Sequence, residues 1–249
     1  MYEPTIPFGE PELMRISAFR RYLDELDADA AQGGALSRLT TISGSLAQDL
    51  RSFEGGDAGD ETLATLAGCI RHAQRAVIHL RCDDIVVPIT VFPMERLAYC
   101  PIELSTLLSM RLSQMSVMRV EPAVLRPPGD PETALVGEAH LHFPLGVLAW
   151  ELALRGRRDE LLPEIRGPAA YRVAPGLDVA ALQLSGTLLA AVQRLQREGT
   201  NLRDLSELPG MNRERAVRLL NGLYLQSGLI VSRTHPQASS DSWFGGLGR

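Results

Sequence analysis

Lysine is absent: all 25 basic residues of the 249-residue chain are arginine. Arginine codons are rich in G and C and lysine codons in A and T. With abundant Ala, Gly, Leu and Pro, the bias points to a bacterial genome of high G+C content rather than to a demand for the guanidinium fork. Cysteine is scarce as well. Cys69, Cys82 and Cys100 are odd in number and irregularly spaced, a pattern that fits reduced thiols of the cytoplasm better than a disulfide framework. No run approaches the roughly 18 to 20 apolar residues of a spanning helix. Met1 to Thr5 lacks the basic start and apolar run of a secretory leader, so no membrane insertion is expected.

Chemistry-bearing patterns are missing too. No serine elbow, no Cys/His pairing at a known spacing and no acid/base carboxylate pair stands in a plausible loop. Gly55-Gly56 and Gly245-Gly246 neither follow a strand nor open a helix, so neither cradles a phosphate. Cys69 and His72, with Cys82 nearby, lack a second pair at structural-zinc spacing, and His140 and His142 lack a third ligand. The chain therefore reads as a non-enzyme without cofactor or metal.

Hydrophobic residues make up 45% and charged residues 22%, the balance of a globular protein that buries its own core. The net charge of −5 is uneven. Residues 1–180 hold 17 Arg against 25 acids, or −8, and residues 181–249 hold 8 Arg against 5 acids, or +3. A weakly basic end on an acidic body permits nucleic-acid contact without demanding it.

The pattern predicts an α+β fold: N-terminal helices, a central mixed domain with an antiparallel hairpin, and a C-terminal helical module. Expected boundaries are 1–60, 61–175, 176–235 and a tail at 236–249. Helices are expected over 12–26 and 36–53, with an acidic Gly-rich linker at 54–60. A helix over 62–74 precedes β-rich runs at 76–82 and 85–92, joined by Asp83-Asp84 as a tight hairpin. Pro88 predicts that the second run is an edge strand or bulged. An exposed edge there would favour a homodimer. A helix over 101–115, a strand over 117–125, a strand over 135–143 from its alternation, and a helix over 144–154 complete the domain.

In the last part, helices are expected over 179–195, 202–208 and 212–225, with a Pro209-Gly210 turn, Asn212 as N-cap and a strand over 229–234. Helix, short helix, turn, helix, strand resembles the winged-helix or helix-turn-helix superfamily, over roughly residues 180 to 235. The resemblance implies a third helix able to enter a major groove. Asn212, Arg213, Arg215, Arg218 and Asn221 are then its candidates for base edges and phosphates, with Arg194, Arg197 and Arg233 on phosphate.

Two further groups stand out. Arg155, Arg157, Arg158 and Arg166 could clamp a phosphorylated ligand such as a nucleotide second messenger, although Asp159, Glu160 and Glu164 lie among them. Trp243 and Phe244 in a polar tail could dock a partner. The leading expectation is a regulatory adaptor working through protein–protein contacts. A DNA-binding regulator and a second-messenger effector are its alternatives.

Overall fold

The computed structural model describes residues 13–31, 42–53, 61–132 and 135–239. By compactness the chain divides into Met1–Leu148 and Ala149–Arg249. The division falls inside a helix, upstream of the expected step at 175. Both helices and antiparallel strands are present, in keeping with an α+β fold.

In the first unit, β1 (Met14–Arg15) leads into α1 (Ile16–Ala31), followed by α2 (Gly44–Phe53) and α3 (Glu61–Arg71). The expected helix over 36–53 lies partly outside the described residues, as does the linker at 54–60. The hairpin forms as its pattern requires: β2 (Ala76–Cys82) pairs with β3 (Ile85–Phe92) from Cys82 opposite Ile85 to Ala76 opposite Val91. Its two-residue turn holds Asp83 at φ 50, a left-handed conformation that short polar side chains tolerate.

β4 (Leu97–Tyr99), β5 (Ser116–Pro122) and β6 (His142–Pro144) complete the sheet, in the order β5-β2-β3-β4-β6, with β1 also on β3. β3 is thus an interior strand, not the edge that Pro88 predicted. A two-residue hairpin makes Cys82 and Ile85 a hydrogen-bonded pair, and strict alternation makes His79 and Pro88 a non-bonded one. The proline nitrogen therefore points away from β2. On that side β1 reaches only Ile85 and Val86, and β4 only Thr90 to Phe92. The missing N–H falls in the interval between them.

Two other expectations change. The helix over 101–115 breaks into α4 (Leu104–Ser109) and a 3-10 turn at Leu112–Gln114, because Met110 turns extended at ψ 166. The alternation over 135–143 does not make a strand. Gly137 passes so close to Tyr99 that a Cβ would lie 2.5 Å from its ring, Ala139–Leu141 is a 3-10 turn, and only His142–Pro144 pairs. The alternation therefore reflects no ladder before His142: Gly137 is buried against Tyr99, whereas Ala139 is exposed.

α5 (Leu145–Arg155) follows, and the second unit continues with β7 (Ala170–Val173), α6 (Gly186–Arg197), β8 (Thr200–Asn201), α7 (Leu202–Ser206), α8 (Arg213–Leu225), β9 (Leu229–Ser232) and α9 (Pro236–Ser239). Its sheet runs β8-β7-β9, antiparallel throughout. α6 begins later than expected, since Gln183 at φ 48 and Gly186 at φ 55 interrupt the chain after a 3-10 turn at Ala180–Leu182. Asn201 and Asn212 cap α7 and α8, accepting the Asp204 and Arg215 amides at 2.8 Å each. Gly210 between them takes φ 76, open to glycine without strain. Val192 and Leu195 of α6, Leu205 of α7, and Ala216, Leu219, Leu220 and Leu223 of α8 form the core.

Candidate functional site

α8 is the helix on which the DNA expectation rests. Its residues Ala216, Val217, Leu219, Leu220, Asn221, Gly222, Leu223 and Leu225 are all buried, so its exposed positions crowd into the first turn. Ala216, Leu219, Leu220 and Leu223 belong to the core shared with α6 and α7. The other face is closed by the segment after α5. There Asn221 accepts the Leu162 amide at 2.9 Å and donates to the Glu160 carbonyl at 3.0 Å. One turn on, the bare Gly222 meets Trp150, where a Cβ would stand 2.8 Å from the indole.

Most of the predicted contact residues hold structural positions in this arrangement. Asn221 is fully buried, so it presents no amide to a groove. Asn212 is occupied as N-cap. Arg215 donates to the Gly210 carbonyl at 2.6 Å, and Arg218 pairs with Glu214 at 2.8 Å and reaches the Leu154 carbonyl at 3.4 Å. Arg233 donates to the carbonyls of Glu164 and Pro168, and Arg194 pairs with Glu198 at 2.9 Å. Arg213 and Arg197 are exposed.

The arginines proposed for a phosphate are likewise engaged. Arg155 pairs with Glu151 at 3.0 Å, one helical turn away. Arg158 is buried and donates to the carbonyls of Glu160 and Leu161 at 2.9 and 3.1 Å. Arg166 pairs with the Glu160 carboxylate at 2.8 Å, and Arg157 is exposed. Glu160 is the hub that sequence reading missed: its carboxylate takes Arg166, and its carbonyl takes both Arg158 and Asn221. These contacts fasten the 158–166 segment to α8. The signal for them was Asn221 itself, a lone amide in the apolar run Leu219-Leu220-Asn221-Gly222-Leu223.

In the first unit, a polar cluster sits on the face of β2 and β5 beneath α1. His79 Nε2 lies 3.2 Å from Glu121 Oε2, and Arg119 Nε donates to Glu121 Oε1 at 2.6 Å. The Phe19 ring of α1 packs on His79 at 4.8 Å. Burial alone would raise the Glu121 pKa, but the His79 and Arg119 hydrogen bonds and charges outweigh it and hold the carboxyl below its ordinary value. Burial pushes the thiols of Cys69 and Cys82 up to about 12 and that of Cys100 up to about 11, so all three are protonated at neutral pH and poor nucleophiles.

The histidines of the two incomplete ligand groups stand apart from one another. The 3-10 turn puts His140 beside the carboxylates of Glu103 and Glu138, at 3.7 and 3.4 Å. His142 instead stacks against Phe92 and Tyr99, and His72 pairs with Asp49 at 2.6 Å. Among the described residues no three His, Cys, Asp or Glu side chains gather as a metal site, and no helix is long and apolar enough to cross a membrane. Trp243 and Phe244 lie outside the described residues. Compared with protein-family models, curated proteins and solved structures, the chain matches none.

Proposed function

We propose that this chain is a non-enzymatic regulatory adaptor that acts through protein–protein contacts. The observation that carries this reading is the enclosure of α8: a duplex-reading helix must offer an open face of polar side chains along its length. Here such positions are confined to Asn212–Arg215. The succession β7, α6, β8, α7, α8, β9 supports a winged-helix-like reading of the second unit, used as a packing module rather than a DNA reader. Three buried, protonated thiols support a reducing compartment, the cytoplasm.

Charge favours the same side. The first unit carries 12 Arg against 20 acids, or −8, and the second 13 Arg against 10, or +3. Photo-crosslinking of the full chain in native lysate, followed by mass spectrometry, tests the reading. A recurrent protein partner lost when surface residues are substituted supports it. Submicromolar, salt-dependent duplex binding at physiological ionic strength overturns it in favour of a transcriptional regulator.

A further inference from the structure

Among the described residues the first unit's sheet has two edges, β6 and β5, and the polar groups of β5 are arranged for a copy of themselves. Ala123 N donates to Arg75 O, and Pro122, opposite Ala76, has no N–H to give. Both facts make Ala76 and Pro122 a non-bonded pair, so Glu121, and by alternation Arg119, turn their backbone groups toward β2. Val120 between them turns its N–H and C=O outward. Among the described residues no strand lies on that side.

The usable edge is short and delimited. On one side the register shift between His79 and Leu80 leaves Met118 as an extra residue, and such bulges end regular pairing. On the other, Pro122 offers only a carbonyl. A second strand can therefore join in one register, centred on Val120.

We propose that β5 pairs antiparallel with β5 of a second copy about a two-fold axis at Val120, extending the sheet across the dimer. Two reciprocal hydrogen bonds join the Val120 backbones. The neighbouring pairs set Arg119 of each copy opposite Glu121 of the other, in the closer non-bonded spacing. Within each strand Arg119 and Glu121 already pair, so the four charges form a rectangle of alternating sign in which every side is attractive. This self-complementarity is what singles out a second copy as the occupant of the edge. The dimer extends the adaptor reading and rests on it only in taking the first unit as an interaction body.

The test is light scattering coupled to size exclusion on the full chain, across the micromolar range. The wild type is expected to be a dimer. Arg119→Glu and Glu121→Arg each place like charges across the axis and should weaken self-association by about tenfold or more. Mixed, the two variants should form a heterodimer, because all-acidic and all-basic strands then face each other. Val120→Pro removes only the outward N–H, leaves the ladder with β2 intact and should give a folded monomer by circular dichroism.

A monomeric wild type, a mixture that stays monomeric, or a Val120→Pro protein that dimerises like wild type overturns the proposal. A monomer that still captures a protein partner sinks the dimer and spares the adaptor. A dimer that binds duplex in the salt-dependent manner does the reverse.

Discussion

At the scale of single residues, Asn221 is the side chain whose removal has the clearest cost. Asn221→Ala leaves the Leu162 amide without its buried partner and takes one of two donors from the Glu160 carbonyl, and the expected loss is about 1–3 kcal/mol by urea denaturation. Glu121 makes a prediction of opposite dependence on solution conditions. Its folded pKa lies below the ordinary 4.5, so its contribution is complete above the unfolded value and is lost as pH falls through the folded one. Thermal midpoints should therefore drop as the medium is acidified below about pH 4.5, and Glu121→Gln should flatten that part of the profile. A profile of unchanged steepness would deny Glu121 the role. The thiols give a third readout: with all three cysteines buried, a thiol reagent should label the native chain slowly and all three sites at once in denaturant.

At the scale of elements, α8 is held from both sides, and each side can be tested by one substitution. Leu220 is fully buried in the core with α6 and α7. Leu220→Asp sinks an unpaired carboxylate at a cost of several kcal/mol, comparable to the whole stability margin of a domain. Loss of cooperative melting in the second unit is the expected result. On the other side, Gly222→Ala gains about 1 kcal/mol of helix propensity but drives a methyl into the rigid indole of Trp150. The clash, about 1–3 kcal/mol for overpacking, is expected to win. A shift in Trp150 fluorescence with a lower melting temperature checks the sign, and a stabilised variant with unchanged emission would refute the packing.

At the scale of the whole molecule, the sign of the charge decides how the protein meets a polyanion. A body at −8 and a second unit at +3 give no strong footprint, and of the α8 arginines Arg215 and Arg218 are engaged with a carbonyl or carboxylate while Arg213 is exposed. Fluorescence anisotropy with arbitrary duplexes should give no saturable binding at 150 mM salt. Each phosphate contact would add about one to the slope of log affinity against log salt. A slope of several would mean that these pairs open on DNA.

Much of this was legible in the sequence because it is local. A two-residue polar turn between β-rich runs dictates β2 and β3 to the residue. Asn212 before an apolar-periodic stretch and Pro209-Gly210 before it dictate where α7 ends and α8 begins. What the sequence could not settle is who lies beside whom. A β-rich run points to a strand but not to its neighbours, so only the tertiary pairing of β1, β4 and β5 made β3 interior and left β5 at an edge. The alternation over 135–143 forms no ladder before His142, and the close approach of Gly137 to Tyr99 joins residues distant in the chain. Arg158, Asn221 and Glu160 looked like surface chemistry until the fold buried two of them. The role of Asn221 depends on hydrogen bonds spanning some sixty residues, and periodicity within one helix carries no information about such contacts.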